Sequence, residues 1–253
     1  MLSKNELKNY TALLQKKFRK QENKFIAEGK RFVEDGLKSQ HHCEIIFVTN
    51  DFAKQNNFFI QQAKKKQTRL ELVSDEDLAK LTDTQTPQGI VAIFEKKFFE
   101  IKEIYNSNLI VALENIADPG NLGTILRTCD WFGIKNVILS PDCAEIYNPK
   151  TLRASMGSIF HLNFFDQINF YAELKKLQAN DFEILVADLG GADIFKYKRP
   201  KKMVLTLANE ANGPSVELEK ICDQKITIPQ IGQAESLNVA TAGAIIMAEI
   251  TKN

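Results

Sequence analysis

The chain has 253 residues, of which 44% are hydrophobic and 26% charged, a composition typical of a soluble globular protein with one large or two ordinary domains. No apolar run approaches the roughly 20 residues that a membrane span needs, and the N-terminus lacks the apolar core of a signal peptide, so we expect a cytoplasmic protein. The net charge of +1 argues against a protein that binds polyanions over its whole surface.

The cysteines and the charged residues are distributed unevenly. Four scattered cysteines without a C-x-x-C pair indicate free thiols rather than a disulfide or zinc framework, and we predict no metal site. Residues 1–40 contain ten Lys and Arg against five Asp and Glu, and residues 64–66 and 196–202 are further basic clusters. Such patches can hold a phosphate backbone, although solvated lysine surfaces would give the same pattern.

The first 96 residues alternate between short apolar runs and helical patterns, which predicts a small α/β domain. Ser74, followed by acidic residues, predicts a helix N-cap. Gly29 with the basic pair Lys30 and Arg31 indicates an RNA-binding turn or only a turn. The predicted elements are a helix over 2–20, a strand–turn–helix unit over 25–33, a strand over 44–49, a helix over 51–66, a strand over 70–73, a helix start at 74 and a strand over 90–94.

A second domain is predicted over residues 108–253, after a charged linker at 97–107. Its apolar strands alternate with helices, as in α/β sheets whose ligands lie at the carboxyl ends of the strands. The continuous apolar run at 108–113 indicates a buried strand. The other predicted strands cover 137–139, 164–165, 183–187, 204–207 and 226–228, and the predicted helices cover 124–132, 151–158, 170–178 and the residues after 236.

Three loops that follow strands are candidates for chemistry. Residues 208–214 and 229–236 are rich in small and turn-forming residues, which let backbone approach a ligand closely. Residues 114–123 precede a helix, where glycines can leave helix N–H groups open to an anion, but the spacing is neither G-x-G-x-x-G nor a Walker loop. Arg127, predicted in the first turns of that helix, would face either phosphate or a carboxylate in a structural salt bridge.

Three motifs occur in a fixed order: N-x-G-x-I-x-R at 121–127, N-E-x-x-G at 209–213 and I-P-x-x-G-x-x-x-S-L-N-V at 228–239. Together they resemble the motifs of the SpoU (TrmH-like) family of RNA ribose 2′-O-methyltransferases, in the SPOUT superfamily. The segment R-A-S-M-G-S at 153–158 is similar to the same family, and residues 25–33 and 86–94 are similar to its N-terminal substrate-binding domain. The resemblance covers nearly the whole chain.

This resemblance implies a small α/β RNA-binding domain followed by a SPOUT methyltransferase domain with a mostly parallel sheet. It also implies a trefoil knot, which pattern reasoning alone would exclude because knots are so rare. The implied cofactor is S-adenosylmethionine, with S-adenosylhomocysteine as product and no metal. The implied partners are structured RNA and a second copy of the chain, paired through the C-terminal domain.

The resemblance also assigns residues to the site. The implied catalytic residues are Asn121, Arg127, Glu210, Ser236 and Asn238. The residues implied to bind the cofactor are Leu207, Ala208, Asn209, Glu210, Gly213, Ile228, Gly232 and Leu237. The residues expected to bind RNA are Lys30, Arg31, Arg127 and Arg153.

Four positions in or next to the motifs allow a structural interpretation or depart from the family. Glu210 alone would be a loop residue that satisfies backbone N–H groups, and Ser236 would be the N-cap of the last helix. Ala208 stands where the family usually has glycine, and Ala240 where it usually has serine. The added methyl of Ala208 is tolerable if φ is negative there, although it could narrow the cofactor pocket.

Methyl transfer from a sulfonium is an in-line displacement, and a ribose 2′-hydroxyl is a poor nucleophile until its proton is removed. A general base contributes roughly 10²–10⁴-fold, and alignment can contribute more. The family's favoured base is the motif arginine, although a guanidinium normally stays protonated. Our hypothesis is that Arg127 contacts RNA phosphate and the hydroxyl, with a base role left open. Glu210 and Asn121 would hold Arg127 or the ribose, while Ser236 and Asn238 would orient the substrate.

Ribosomal RNA is the favoured substrate, with the large subunit preferred to the small, because a separate N-terminal module can grip folded RNA beyond the target nucleotide. Transfer RNA is the alternative substrate. The alternative of another class is an RNA-binding or ribosome-assembly protein that kept the fold and lost catalysis.

Overall fold

The computed structural model describes residues 3–209 and 212–252, and the chain forms two compact units. The N-terminal unit comprises Met1–Lys97 and Tyr147–Phe160. The C-terminal unit comprises Phe98–Ile146 and His161–Asn253.

Strands and helices are interspersed along the described residues. The strands are β1 (Lys24–Glu28), β2 (Cys43–Thr49), β3 (Arg69–Val73), β4 (Ile90–Glu95), β5 (Leu109–Glu114), β6 (Asn136–Leu139), β7 (Asn163–Phe165), β8 (Glu183–Asp193), β9 (Met203–Ala208) and β10 (Gln224–Thr227). The helices are α1 (Lys4–Ala12), α2 (Lys16–Glu22), α3 (Lys30–Lys38), α4 (Asn50–Gln55), α5 (Asn57–Lys65), α6 (Asp75–Lys80), α7 (Pro119–Trp131), α8 (Pro149–Ser155), α9 (Phe170–Gln178), α10 (Val216–Ile221) and α11 (Val239–Ile250).

The sheet of the N-terminal unit has the strand order β1–β4–β2–β3. Strand β4 is antiparallel to both of its neighbours, whereas β2 and β3 are parallel. The central strands β2 and β4 are almost fully buried, as their continuous apolar runs predict. Gly29 joins β1 to α3 with a φ of +94°, a conformation that favours glycine. The predicted strand–turn–helix unit is therefore confirmed.

Two helices predicted as continuous are each broken in two. Between α1 and α2, the buried guanidinium of Arg19 donates to the carbonyls of Leu13 (2.8 Å) and Leu14 (2.7 Å) and holds the turn. Between α4 and α5, the amide of Asn56 donates to the carbonyl of Phe52 at 3.0 Å. Side chains that bind nearby carbonyls compete with the helical pattern, and apolar spacing does not reveal them. The predicted N-cap at Ser74 is confirmed, since its hydroxyl accepts from the Asp77 N–H at 3.1 Å.

The structure differs from the predicted domain boundaries at two places. Residues Tyr147–Phe160, which we placed in the C-terminal domain, pack with the N-terminal unit, where the Phe160 ring lies 5.0 Å from that of Phe32. Within the predicted linker, Ile101–Asn106 form a 3₁₀ helix whose Ile104 is fully buried in the core of the C-terminal unit. Both differences come from apolar side chains whose partners are distant in sequence.

The sheet of the C-terminal unit has the order β10–β8–β9–β5–β6–β7, and its paired strands are parallel. One face is covered by α9 and α10, which share a core with alternate residues of the strands. On the other side, α11 approaches β9 so closely that a Cβ on Gly243 would lie 2.7 Å from Leu207. The predicted α/β class with a mostly parallel sheet is confirmed, and the knot stays a prediction.

Three further elements of the C-terminal part of the chain differ in extent from the prediction. Helix α7 begins at Pro119, with Asp118 as its N-cap, so that Gly120 and Gly123 lie inside the helix and do not form an anion-binding loop before it. Proline fits this first helical position because its missing N–H would have no helical partner. Strand β8 runs beyond the predicted 187. Helix α8 ends at Ser155, before the predicted 158, and its C-cap Met156 has a φ of +50°.

Within the described part of the chain, no helix is both long and apolar enough for a membrane crossing.

Candidate functional site

A cavity of about 550 Å³ opens at the carboxyl ends of β9 and β10, beside residues 187–189 in the middle of β8. Its walls combine apolar side chains with the two loops that follow β9 and β10. Seven of the eight residues assigned to the cofactor line this cavity, and the eighth, Glu210, lies outside the described residues. The seven are Leu207, Ala208, Asn209, Gly213, Ile228, Gly232 and Leu237.

The first loop is fastened where it leaves β9. The Asn209 side chain donates to the carbonyl of Asn115 at 2.9 Å, and the Asn209 carbonyl accepts from the Gly213 N–H at 2.9 Å. Gly213 has a φ of +65°, a left-handed conformation in which a side chain is strained. The Asn209–Gly213 turn therefore depends on the asparagine and glycine that the sequence motif contains.

The same loop is fastened at its far end by a buried carboxylate. Glu114, at the end of β5, is 1% exposed and accepts from the Ser215 N–H at 3.0 Å and the Ser215 hydroxyl at 2.6 Å. The Tyr171 hydroxyl donates to the same carboxylate at 2.7 Å. Burial raises the pKa of Tyr171, and the neighbouring Glu114 adds to this effect, so that the phenol keeps the proton it donates.

Within the second loop, the side chain of Gln230 binds two backbone carbonyls. The Gln230 amide donates to the carbonyls of Gly232 at 2.9 Å and Ala234 at 2.8 Å. Ser236 lines the cavity and is exposed. The loop thus presents backbone and a hydroxyl to the cavity.

Two of the predicted catalytic residues are joined directly. The Asn238 side chain donates through Nδ2 to Oδ1 of Asn121 at 3.0 Å, which connects the start of α11 to the first turn of α7. The Asn238 Oδ1 accepts from the N–H groups of Ala240 at 3.0 Å and Thr241 at 3.3 Å. The N-cap of the last helix is therefore Asn238, and the interpretation of Ser236 as that N-cap is wrong.

Arg127 lies in the middle of α7 and is exposed. The prediction placed it in the first turns, which was wrong because the helix starts five residues earlier than expected. No acidic side chain of the described residues is paired with Arg127. The alternative of a structural salt bridge is therefore not supported by the described part of the chain.

The residues predicted to bind RNA are divided between the two units. Lys30 and Arg31 are exposed at the start of α3 in the N-terminal unit, where the Lys30 N–H donates to Gln88 Oε1 at 3.2 Å. Arg153 belongs to the same unit and forms an ion pair of 3.0 Å with Asp83. Arg127 belongs to the C-terminal unit.

Comparison with known families agrees with this arrangement. Residues 108–248 match the family model of the SpoU rRNA Methylase family, and residues 4–92 match that of the MRM3-like substrate binding domain.

The chain belongs to the SpoU rRNA methylase family. The predicted family and the predicted activity class, RNA methylation, are confirmed.

Individual relatives extend the similarity over both units. The chain is 30% identical over 247 residues to the 23S rRNA (guanosine(2553)-2'-O)-methyltransferase RlmP of Bacillus subtilis. This match covers 97% of this chain and 96% of that protein. It superimposes on an AdoMet-bound rRNA methyltransferase from Sinorhizobium meliloti with a TM-score of 0.87 and 30% identity, over 99% and 95% of the two chains. A TrmH/SpoU tRNA modifying enzyme from A. aeolicus gives a TM-score of 0.52 and 27% identity, over 59% and 80%.

Both departures from the SpoU pattern are accommodated by the local backbone. Ala208 is the last residue of β9 and its φ is not positive. This extended strand position does not require glycine. Its side chain is 8% exposed and forms part of the cavity wall. Ala240 is buried in the first turn of α11.

Sequence reasoning missed two acidic residues, one that binds the end of the first loop and one that lines the cavity. Glu114 is a charged residue at the end of a buried strand, and that position was the signal that could have identified it. Asp188 lines the cavity and forms an ion pair of 2.8 Å with Lys225, which also pairs with Glu219 at 2.7 Å. Hydrogen bonds to Asp188 and Glu219 raise the pKa of Lys225. No local pattern marks Asp188, because β8 is longer than its apolar run.

Proposed function

We propose that the protein transfers a methyl group from S-adenosylmethionine to a ribose 2′-hydroxyl of large-subunit ribosomal RNA. The observation that carries this proposal is the cavity beside β9 and β10, where the described residues assigned to the cofactor converge. Next to it, the Asn121–Asn238 pair joins two residues of the implied catalytic set.

The residues of this cavity fit the cofactor. A volume of about 550 Å³ lies within the range of small-molecule sites. Leu207, Ile228 and Ile246 offer apolar walls to an adenosyl group, and the backbone of the second loop offers donors and acceptors. The bound cofactor would supply a methyl group activated by a sulfonium.

The chain's own residues hold and align the RNA nucleophile. Arg127 is an exposed guanidinium with five donors, suited to binding an RNA phosphate while contacting the 2′-hydroxyl. The Asn121–Asn238 pair holds the first turn of α7 against the start of α11, and Ser236 faces the cavity. The role of Glu210 in holding Arg127 or the ribose rests on the sequence motif.

Large-subunit ribosomal RNA is favoured over transfer RNA by the extent of similarity. The B. subtilis relative, named as a 23S rRNA enzyme, matches 97% of the chain, whereas the A. aeolicus tRNA enzyme matches 59%. Lys30 and Arg31 give the N-terminal unit an exposed basic edge for RNA outside the target nucleotide. Arg153 can join them when RNA phosphate competes with Asp83 for its guanidinium.

The ribose methylation that depends on the gene is the test of this function. Ribose methylation is mapped across ribosomal and transfer RNA, by resistance to alkaline cleavage, with and without the gene. Loss of one large-subunit mark, restored in vitro by the purified protein with S-adenosylmethionine, is the expected result. Loss of a transfer RNA mark would correct the substrate. If no mark changes and the protein does not bind the cofactor, it is an RNA-binding relative without catalysis.

The second part of the proposal is that the chain forms a homodimer and acts in the cytoplasm. Trp131, at the end of α7, is 84% exposed, and α11, which contacts α7, leaves the small side chains of Ala244 and Ala248 only half-buried. A large exposed aromatic on one helix and small residues on the neighbouring helix suit a protein interface, here with a second copy of the chain. Cytoplasmic placement is supported by the free cysteines among the described residues.

Sedimentation tests the homodimer. We expect the wild-type chain to sediment as a dimer, and Trp131→Glu to sediment as a folded monomer because the interface would have to bury an unpaired carboxylate. Phe58→Glu, on an exposed phenylalanine of the N-terminal unit, is the matched control and should stay dimeric. A monomeric wild-type chain would contradict this part of the proposal.

A further inference from the structure

Glu114 is a buried carboxylate that no step of the methyl transfer uses. It is 1% exposed and accepts three hydrogen bonds, from the Ser215 N–H, the Ser215 hydroxyl and the Tyr171 hydroxyl. None of the described Lys or Arg side chains forms an ion pair with it. Burying a carboxylate is unfavourable unless its oxygens are hydrogen-bonded, so this arrangement holds Ser215 tightly in place.

Glu114 and its neighbour hold both ends of one loop. The carbonyl of Asn115 accepts from the Asn209 side chain at 2.9 Å, where the first loop begins. The carboxylate of Glu114 binds Ser215, where the loop ends and where the Ser215 hydroxyl also accepts from the Leu218 N–H at 3.1 Å as N-cap of α10. Between these anchors, Asn209 and Gly213 line the cavity. Glu114, the last residue of β5, and the following Asn115 thus hold the two ends of the loop, whose described residues contribute to one wall of the cavity.

We infer that Glu114 is a positioning residue for cofactor binding, which acts by holding Ser215 and thereby the cavity wall to which Asn209, Gly213 and Pro214 belong. This inference rests on the proposed function, because it assigns the cavity to S-adenosylmethionine. A wall that is ordered before binding loses less conformational entropy when the ligand enters, so affinity depends on the anchor even though Glu114 does not touch the cavity. Loss of the anchor should weaken cofactor binding more than the chemical step.

Glu114→Gln is the direct variant, since it keeps the shape of the side chain but replaces one acceptor oxygen by a donor NH₂. The new donor would face the N–H or hydroxyl donors of Ser215 and Tyr171. We expect the Kd for S-adenosylhomocysteine, measured by calorimetry well below the unfolding temperature, to rise on the order of tenfold. We expect KM for S-adenosylmethionine to rise similarly, with kcat changing much less.

Glu173→Gln is the matched control. Glu173 is also a buried carboxylate of the C-terminal unit, 4% exposed, and it accepts a hydrogen bond from the hydroxyl of Tyr105. It lies on α9 and does not line the cavity. The free energy of unfolding of Glu173→Gln should fall about as much as that of Glu114→Gln, while its Kd for S-adenosylhomocysteine stays at the wild-type value. Equal changes of Kd in the two variants would overturn the positioning role, as would an unchanged Kd in a folded Glu114→Gln protein.

Tyr171→Phe serves if Glu114→Gln does not fold, because it removes a single donor and leaves the carboxylate in place. We expect the Kd of Tyr171→Phe for S-adenosylhomocysteine to be about threefold higher than that of Tyr105→Phe. Equal Kd values in these two variants would overturn the inference.

Hydrogen exchange separates failure of the anchor from failure of the proposed function. In the ligand-free protein, the backbone N–H groups of residues 212–213 and 215–218 should exchange faster in Glu114→Gln than in wild type or Glu173→Gln. If the wild-type chain does not bind S-adenosylhomocysteine, the cofactor assignment fails whatever the exchange shows. If it binds and the exchange of this segment is unchanged in Glu114→Gln, the anchor fails while the function stands.

Discussion

Arg127 shows how much one side chain depends on its helix for chemistry. Its position in the middle of α7 leaves the guanidinium exposed, and no described carboxylate neutralises it. A guanidinium offers five donors in a rigid planar arrangement, which suits simultaneous contact with a phosphate and a hydroxyl. The sequence motif identified this residue, but only the structure shows that it is open to a ligand.

Replacement of Arg127 tests that role. We expect Arg127→Ala to lower the single-turnover rate of methylation at least about 10²-fold, because the nucleophile loses its positioning and any proton acceptor. Arg127→Lys should recover only a small part of the rate, since an ammonium cannot make bidentate contacts. The Kd for S-adenosylhomocysteine should stay unchanged in both variants.

Lys135→Ala, at an exposed basic residue of the same unit, is the control and should keep the wild-type rate. A wild-type rate in Arg127→Lys would show that guanidinium geometry is not required.

The start of α11 combines a structural and a functional role in one side chain. Asn238 caps the helix with its oxygen and donates to Asn121 of α7 with its nitrogen. The N-cap function needs only an acceptor, whereas the connection to α7 needs the donor. The two roles of this element can therefore be separated by chemistry.

Asn238→Asp is the variant that separates them. Aspartate keeps the acceptor for the N–H groups of Ala240 and Thr241 and is favourable at a helix N-terminus, so the free energy of unfolding should change by less than about 1 kcal/mol. It loses the donor to Asn121, and we expect the methylation rate to fall at least about tenfold. Urea unfolding and single-turnover assays measure the two effects.

The matched control for this variant lies in the same unit. Asn169 caps α9 by accepting from the Ala172 N–H at 3.1 Å, and Asn169→Asp should change neither stability nor rate appreciably. Full activity in Asn238→Asp would show that the connection between α7 and α11 is dispensable.

For the molecule as a whole, the net charge of +1 means that general charge repulsion contributes little to stability near neutral pH. The pH dependence of stability then depends on individual groups whose pKa changes on folding. His41 is such a group in the N-terminal unit, where its ring lies 5.1 Å from Phe160 and 6.4 Å from Phe25. Burial, with the Lys97 charge adding to it, lowers the pKa of His41 to about 4.

The sign of the effect follows from proton binding. Between its unfolded pKa of about 6.5 and the folded value of about 4, His41 is protonated in the unfolded chain and neutral in the folded one. Stability from this group is therefore fully present above about pH 6.5 and is lost as the pH falls to about 4. We expect the free energy of unfolding to fall by an amount on the order of 1–2 kcal/mol over this range. Partial exposure of the ring to solvent keeps the effect this small.

His41→Phe should remove this part of the pH dependence while keeping an aromatic ring against Phe25 and Phe160. Urea unfolding at several pH values between 4 and 7 measures it. His42→Gln, at the exposed neighbouring histidine, should keep the wild-type dependence. An unchanged slope in His41→Phe would assign the acid sensitivity to other groups.

Much of this protein was determined by sequence alone. Buried strands, the turn at Gly29, the Ser74 cap and the loops after β9 and β10 follow from apolar runs and turn residues, which act over a few positions. The three motifs identified the family because several constrained residues recur at set spacings. Helix breaks at Arg19 and Asn56 escaped this local reasoning, since they depend on side-chain hydrogen bonds that leave no periodic signal.

Only the tertiary structure decided which distant residues meet. It set the strand order β10–β8–β9–β5–β6–β7, packed residues Tyr147–Phe160 with the N-terminal unit, and joined Asn238 to Asn121, 117 positions away. It also placed Ser215 on Glu114, 101 positions earlier in the chain. The physical reason is that such contacts are selected by the packing and hydrogen bonding of the whole core, whereas local propensity acts only on neighbouring residues.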